Sequence, residues 1–399
     1  MITLSTDSVF YIAILLMAPL ILRNNSPARR YIFLALNLTV FIVSMKEITQ
    51  FIVAALWLIL PYLITKMADK KSLKNWRPAT ITVMVACFAY LMHYDAVFNT
   101  LHIPYVFPWR ILGLSYFLFR QIDFIMQYEY LRETEVRLTF LDYINHLLNF
   151  YTLLAGPILR YEEFVTDFYS PVKPLTKQDI FGGLNRALNG YLKIYVVSAI
   201  MSYHASYWFN GLKNHSNIIT TAGAFFLFAF FNCWYIYFNF SGYCDIVNSF
   251  ASLAGLTLHE NFNRPYLAAS VAEFWNRHHI TLSEWIRDYL YSPMFKALLT
   301  GPCSKNAALG QYIALFLTFT IAGIWHGTDG NYLTYGLFQG LGIVVATSFK
   351  SWRKKHWPKE KNKAWEKDIR VLTAGRIITW SYISLTFSFV GYDVLGLLR

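Results

Sequence analysis

The chain alternates between long runs without charged residues and short polar connections. Six runs approach or exceed the length of about 20 apolar residues that crosses the hydrocarbon layer as a helix. They are 48–65, 78–94, 194–212, 214–244, 306–328 and 330–349. Shorter candidates lie at 8–22, 31–45, 104–119, 143–159 and 377–398. Together these runs predict roughly ten or eleven transmembrane helices.

Between residues 245 and 305 the pattern changes. Apolar pieces such as 246–258 and 289–300 are too short to span a membrane, and His, Arg, Glu and Asp separate them. Such pieces predict re-entrant or interfacial helices, which are tolerated where protein or water covers the backbone. We therefore expect an all-α polytopic membrane protein, organised as one membrane domain over residues 1–399.

Composition supports a membrane protein. Apolar residues make up 56% of the chain and charged residues only 15%, whereas soluble domains carry about 25% charge. The mean hydropathy is +0.35. Disorder, a coiled coil, collagen and a secreted disulfide scaffold are excluded. The four cysteines form no CxxC pair, so we expect neither a disulfide framework nor a zinc site.

The net charge of +12 comes from basic connections between the apolar runs. Basic residues cluster at 23–30, at 66–77 and at 350–370, and the last stretch holds nine basic and three acidic residues. Lys and Arg near span ends are typical of cytoplasmic loops, which puts the N-terminus outside. Attraction of an anionic lipid or polymer is the alternative explanation.

Signatures of several enzyme classes are absent. The sequence contains no GxGxxG, no P-loop, no GxSxG nucleophile elbow and no HExxH, so neither a nucleotide site, a serine hydrolase nor a zinc protease is indicated. Chemistry must then come from ionisable residues at membrane depth, which are costly to bury and functional by default.

His326 is the clearest such residue, because it closes the apolar run 307–325. The flanking Gly323 and Gly327 allow other backbone or substrate to approach closely, and Trp325 can pack against the imidazole. A satisfied structural histidine remains the alternative.

Segment 273–291 is rich in polar and aromatic side chains. If it is helical, its charged residues can satisfy one another, with Trp275 and Trp285 facing apolar surroundings. Adjacent His278 and His279 would point about 100° apart on a helix, so only one would face a site. Two interpretations stay open: an interfacial helix with aromatic anchors, or a buried polar cluster lining a reaction chamber. The charged residues that could satisfy one another in this way are Arg277, Glu284, Arg287 and Asp288.

Asp245 and Arg264 form a third candidate group. Asp245 ends a long charge-free run, and Arg264 precedes a helix-breaking proline. We interpret them as a structural pair that supports re-entrant segments.

Taken together, these residues resemble the membrane-bound O-acyltransferase family, in particular its bacterial branch of D-alanyl-teichoic-acid transfer and alginate O-acetylation proteins. The similarity covers about residues 110–345, in the family's order. The matching motifs are Phe274-Trp-Asn-Arg-His-His-Ile-Thr-Leu-Ser283, Arg287-Asp288-Tyr289, Gly323-Ile-Trp-His-Gly327, Phe240-Ser-Gly-Tyr243, Asn261-Phe-Asn-Arg-Pro-Tyr266, Gly113-Leu-Ser-Tyr-Phe-Leu-Phe-Arg120 and Ala155-Gly-Pro-Ile158.

The resemblance implies that His326 is the catalytic histidine and His279 the second histidine, within a ring of transmembrane helices around a central tunnel. Two features depart from this branch: His278 stands where Trp is usual, and Ser292-Pro-Met-Phe-Lys296 replaces a Gly-Gly-Asn motif. The substrate-binding or supporting residues it suggests are Trp325, Asn276, Arg277, Ser283, Arg287, Asp288, Asp245 and Arg264.

The function implied is transfer of a small acyl group, acetyl or D-alanyl, from a cytoplasmic thioester donor to hydroxyls of an extracytoplasmic cell-envelope polymer. The donor would be an acyl-carrier protein or a coenzyme A thioester, with no metal or bound cofactor and no nucleic-acid partner. A partner transferase and membrane lipid are further expected contacts, in the bacterial cytoplasmic membrane. Two alternatives stay open: a transporter or flippase of a lipid-linked or acyl intermediate, and a membrane scaffold for a partner transferase.

Overall fold

A computed structural model describes residues 6–23, 25–71, 73–94, 101–102, 107, 111–134, 136–212 and 217–398. This part of the chain is helical, and its strand-like pairing is an isolated antiparallel bridge between Phe262 and His278. The α-helices are α1 (Thr6–Leu22), α2 (Arg29–Val43), α3 (Ile48–Lys70), α4 (Trp76–Leu91), α5 (Leu114–Glu133), α6 (Phe140–Leu148), α7 (Tyr161–Tyr169), α8 (Lys177–Leu192), α9 (Ala199–Gly211), α10 (Ile218–Leu253), α11 (Val271–Trp275), α12 (Ile280–Ile286), α13 (Ser292–Thr300), α14 (Ala307–His326), α15 (Gly330–His356), α16 (Lys359–Lys367) and α17 (Ile369–Phe387).

The chain divides into two compact units. The first consists of Met1–Leu192 and Gly242–Glu260, and the second of Lys193–Ser241 and Asn261–Arg399. The single-domain organisation expected from the sequence stays a prediction.

The core of the first unit contains a fully buried arginine, Arg120 on α5. Its guanidinium donates to the carbonyl oxygens of His146 at 3.0 Å and of Thr152 at 3.0 Å. His146 lies in the last turn of α6, where carbonyls have no partner within the helix. Arg120 therefore satisfies the end of α6, which explains why a charged residue sits in the apolar motif that begins at Gly113.

Two predicted spans were wrong in the first unit. Of the run 104–119, residues 104–106 and 108–110 lie outside the described residues; α5 begins only at Leu114 and continues to Glu133. The run 143–159 is not one helix, because α6 ends at Leu148. Hydropathy fails in both places because polar groups that find partners inside the protein are far cheaper to bury than unpaired ones.

The boundaries of α10 also differ from the prediction. It does not end at 244 but continues to Leu253, so it takes up most of the short apolar piece 246–258. Asp245 lies inside this helix, where Arg186 neutralises its charge: the guanidinium Nε of Arg186 is 3.1 Å from the Asp245 carboxylate.

By length and composition, four described helices can cross a membrane: α3, α10, α14 and α15. The apolar helix Tyr11–Leu22 and α4 are shorter. The all-α polytopic class is thus confirmed, while the number of ten or eleven crossings stays a prediction. In 265–300, α11 has only 5 residues, whereas a π-helical stretch, Arg287–Tyr291, joins α12 and α13 into one unbroken helix from Ile280 to Thr300. The apolar piece 289–300 is therefore not a separate short helix, and the re-entrant or interfacial helices expected in this region stay a prediction.

We predict that the two ends of α15 lie on opposite sides of the membrane, since its 27 residues extend about 40 Å. In a Cys87→Ser background, which removes an exposed native thiol, Lys363→Cys should resist a membrane-impermeant thiol reagent in intact cells. Thr328→Cys, just before α15, is the matched control and should react. Rapid labelling at position 363 with protection at position 328 would show that the orientation of α15 is the opposite of the one proposed.

Candidate functional site

Helices α14 and α15 form a tightly packed hairpin in the second unit. The Asp329 side chain caps α15 by accepting from the backbone N–H of Asn331 at 2.8 Å. Along the hairpin the backbones meet at glycines, because a Cβ on Gly323 would lie 2.6 Å from the backbone nitrogen of Gly336. No side chain other than hydrogen fits at that crossing.

His326 is the last residue of α14. Its ring centroid is 4.4 Å from that of Trp325 and 5.9 Å from that of Tyr335. The glycines beside it do not leave open space on every side, because a Cβ on Gly327 would run into the ring of Tyr332. The close approach expected at Gly323 and Gly327 is thus made by the protein itself.

The His326 side chain opens onto a cavity of about 500 Å³. One face of α14 and one face of α15 form its long walls, and α11, α12 and the turns beside them close it. The residues that α14 and α15 contribute are Gln311, Leu315, Thr318, Phe319, Ala322, Gly323, His326, Tyr335, Gln339, Ile343 and Thr347.

A buried polar link that the sequence analysis missed fastens this wall. The Trp275 indole N–H donates to the side-chain oxygen of Gln339 at 3.1 Å, and the Gln339 amide donates to the Thr386 hydroxyl at 2.6 Å. Trp275 and Gln339 both line the cavity. The sequence feature that could have indicated this link is Gln339, a polar residue in the middle of the apolar run 330–349.

The segment 273–291 is not the continuous helix that the spacing argument assumed. Helix α11 ends at Trp275, and α12 begins only at Ile280. Between them the chain pairs with residues 261–263: Asn263 N–H donates to the Arg277 carbonyl at 2.9 Å, and Ile280 N–H donates to the Asn261 carbonyl at 3.0 Å. The directions of His278 and His279 are therefore set by this pairing and not by a helix.

The buried side chain of Asn261 determines which ring nitrogen of neutral His279 carries the proton. One side-chain atom of Asn261 accepts from the backbone N–H of Thr281 at 3.2 Å, so that atom is the oxygen. The same oxygen is 3.4 Å from His279 Nδ1. An oxygen without a hydrogen can only accept, so Nδ1 must be the donor. Neutral His279 then has a lone pair on Nε2.

His279 adopts a left-handed backbone, with φ of 48°, which is uncommon for a residue with a Cβ. Its ring packs edge-on against Phe240, with centroids 4.7 Å apart. Burial, followed by the nearby His278 and His326, holds the pKa of His279 well below its ordinary value. The imidazole is therefore neutral at physiological pH.

His278 occupies an aromatic cage beside the cavity. Its ring stacks on Phe274 at 4.9 Å and meets the rings of Phe262, Trp275 and Phe387 edge-on at 5.1–5.6 Å. Neither ring nitrogen has a hydrogen-bond partner among the described residues. His278 thus fills the space of an aromatic side chain, which is the residue type usual at this position in the family branch it resembles.

The structure brings some of the remaining motif residues to the cavity and leaves others outside it. Asn276, Ser283 and Arg287 line the cavity together with His326. The expected mutual cluster of charged residues does not form as such. Instead, Arg277 pairs with Glu273 at 2.8 Å, Arg287 pairs with Asp288 at 3.0 Å, and Glu284 lines the cavity.

Asp245 has a partner within the first unit, and the expected pair of Asp245 with Arg264 stays a prediction. Asp245 binds Arg186, whose guanidinium also holds both carboxylate oxygens of Glu260 at 2.7 Å. Arg264 is exposed, with φ of 46°, and precedes a short 3₁₀ turn, Pro265–Leu267. The partner of Asp245, Arg186, lies far away in sequence and carries no motif that would mark it.

Comparison with known proteins gives one family. Residues 110–390 match the model of MBOAT, the membrane-bound O-acyltransferase family. This match includes every residue of the cavity.

Three relatives illustrate the range of proteins to which the chain is similar. "Probable alginate O-acetylase AlgI" of Pseudomonas putida is 31% identical over 234 residues, 59% of this chain and 45% of the relative. "Teichoic acid D-alanyltransferase" of Bacillus subtilis is 29% identical over 286 residues, which are 70% of this chain and 66% of the relative. "Peptidoglycan O-acetyltransferase" of Helicobacter pylori is 31% identical over 252 residues, which are 63% of this chain and 44% of the relative. The chain thus spans about half the length of most of these relatives.

Gly323→Ala should lower the thermal stability of the purified protein, because overpacking at a tight contact typically costs about 1–3 kcal/mol. The measurement is thermal unfolding in detergent. Gly223→Ala in α10 is the matched control: a Cβ there meets nothing within 4 Å, so the added helix propensity should leave stability unchanged or raised. Equal unfolding temperatures for Gly323→Ala and the parent would contradict the close contact.

Proposed function

The chain belongs to the membrane-bound O-acyltransferase family, as its motifs predicted, and on that premise we propose that it transfers a small acyl group from a thioester donor to hydroxyls of a cell-envelope polymer. The observation that carries the proposal is the cavity that ends at His326. The acyl group is acetyl or D-alanyl and the acceptor is a polysaccharide, teichoic acid or peptidoglycan, the chemistries that the relatives' names contain. The site of action is the bacterial cytoplasmic membrane.

The shape of the cavity suits a linear donor. Its lining on α14 runs from Gln311 to His326, and the fifteen residue-to-residue steps between them rise about 22 Å. On α15 the lining runs from Tyr335, which contacts His326, to Thr347 at the other end. A volume of about 500 Å³ drawn out over this length takes one extended chain. A thioester on a flexible arm, as on an acyl-carrier protein or coenzyme A, has that form.

The direction of the cavity agrees with a donor that enters from the cytoplasm. Beyond Thr347, α15 continues into the basic residues Arg353, Lys354 and Lys355, which we assign to the cytoplasmic side. His326 lies at the opposite end of the hairpin. A donor arm that enters at the basic end would therefore present its thioester to His326 near the outer side, where the polymer acceptor is.

In the reaction that we propose, His326 carries the proton from the acceptor hydroxyl to the departing thiol. His326 takes the proton from the acceptor hydroxyl as its oxygen attacks the thioester carbonyl. The tetrahedral intermediate collapses with cleavage of the carbon–sulfur bond, the proton passes from His326 to the departing thiolate, and an ester and a free thiol result. A neutral imidazole is the form that can start this sequence.

For His279 the hydrogen bonding favours a positioning role. With its proton on Nδ1 and directed to Asn261, neutral His279 offers only a lone pair at Nε2, and so it accepts a hydrogen bond from a hydroxyl. Stabilising an oxyanion would require a donor at Nε2. Of the two roles considered for His279, orientation of the acceptor hydroxyl is the one that this arrangement supports.

His326→Ala should reduce the transfer rate by ~10²–10⁴-fold, the usual worth of a general base. The measurement is formation of new ester from labelled acetyl or D-alanyl thioester by purified protein, with any partner supplied. His279→Ala should also impair transfer. His278→Phe is the matched control, because it keeps the aromatic cage filled and should retain most activity.

Near-normal ester formation by a folded His326→Ala variant would rule out this mechanism. If the parent protein takes up the donor or binds a partner but never forms an ester, the result would favour the transporter or the scaffold instead.

Ala322→Phe should abolish transfer while leaving His326 in place. Ala322 lines the cavity between Thr318 and His326, so a phenyl ring there would block a donor arm before it reaches the histidine. Ile321→Phe is the matched control, since Ile321 is exposed and is not among the lining residues. Transfer by Ala322→Phe at the parent rate would show that the donor does not pass along this cavity.

A further inference from the structure

The most basic part of the chain folds into a compact element whose residues take part in no chemical step of the proposed reaction. It comprises the end of α15, helix α16 and the start of α17, and we name residues 350–370 the basic hairpin. Nine basic and three acidic residues lie in it. A charge excess of this size can attract a partner of opposite sign.

Apolar belts on both flanking helices show where the basic hairpin lies relative to the membrane. On α15 the exposed apolar residues Leu341, Val345, Phe349 and Trp352 follow one face at helical spacing. On α17 the exposed large apolar residues are Ile369, Ile377, Ile378 and Leu385. Because α15 is one of the helices that can cross a membrane, its apolar belt faces hydrocarbon, and the basic hairpin begins where that belt ends. That level is the headgroup region.

A buried arginine gives the basic hairpin a fixed shape. Arg353 is 6% exposed, its guanidinium is 3.2 Å from Glu366, and it lies 5.9 Å from the ring centroids of both Trp357 and Trp365. These contacts hold α16 against the end of α15. The lysines around them point outward, and Lys354, Lys355, Lys359, Lys361, Lys363 and Lys367 are all exposed.

We infer that the basic hairpin is a docking surface for the headgroups of anionic phospholipids. Trp352, stacked between Phe349 at 6.2 Å and His356 at 5.2 Å, would lie at the interface, where indole rings are favoured. The exposed lysines would pair with lipid phosphates. Basic clusters directly beside a membrane span are typical of such binding.

Lipid accounts for these features better than an acidic carrier protein does. The exposed face of α15 is continuous from Leu341 to Trp352 and passes directly into the lysines, so one partner must cover both hydrocarbon-facing and charged groups. A phospholipid has both parts in one molecule. A soluble acidic protein would match the lysines but not the apolar belt.

The test measures binding of phosphatidylglycerol and, as the neutral probe, phosphatidylcholine to the purified full-length protein in detergent, by native mass spectrometry at several salt concentrations. The parent should prefer phosphatidylglycerol. Lys355→Gln/Lys359→Gln/Lys363→Gln should weaken phosphatidylglycerol binding on the order of fivefold for each lysine removed and flatten the salt dependence. The matched control, Lys173→Gln/Lys177→Gln/Lys305→Gln, removes three exposed charges that do not belong to one basic cluster and should change binding little.

A second variant separates the apolar contribution. Trp352→Ser should weaken binding of both lipids while the salt dependence stays that of the parent. The proposal fails if phosphatidylglycerol has no advantage in the parent, or if both triple variants lose binding equally, which would indicate net charge alone. It also fails if the hairpin triple variant keeps lipid binding and loses binding of a purified acidic acyl-carrier protein, which would make that protein the occupant.

Discussion

The cavity of the second unit depends on how closely the backbones of α14 and α15 approach each other. Gly323 and Gly336 leave no side chain between the helices, and a Cβ on Gly340 would lie 2.8 Å from the carbonyl oxygen of Phe316. Small residues allow such packing in a membrane, where no hydrophobic effect drives helices together. Because the helices touch along this line, their larger side chains are displaced to the flanks. On one flank they line the space that ends at His326.

Hydropathy predicts the long apolar helices of this chain well and its charged helices poorly. The runs 306–328 and 330–349 correspond to α14 and to most of α15, because few groups along them need a partner. Arg120 and Asp245 break the pattern. Their partners, the carbonyl of His146 and the guanidinium of Arg186, come from other parts of the sequence. No local pattern shows which distant group will neutralise a buried charge, so the ends of α5 and α10 could not be predicted.

Some residues of the cavity could be singled out from the sequence motifs, but the geometry of the cavity could not. Asn276, Ser283 and His326 line one cavity, as residues of shared motifs should. Helical spacing failed between Trp275 and Ile280 because the backbone there bonds to residues 261–263 instead of to itself. That choice between partners is made by the tertiary fold. The sequence around His278 and His279 is equally compatible with a continuous helix, so the wrong expectation had no local signal against it.

The left-handed backbone of His279 shows what the departure from a helix achieves. Such a conformation costs roughly 1–2 kcal/mol for a residue with a Cβ. The hydrogen bonds from Asn263 to Arg277 and from Ile280 to Asn261 hold the chain on both sides of it and offset this cost. The Asn261 side chain, fixed by Thr281, then sets the ring and its proton. The backbone and the tautomer of His279 are thus both held by the protein itself.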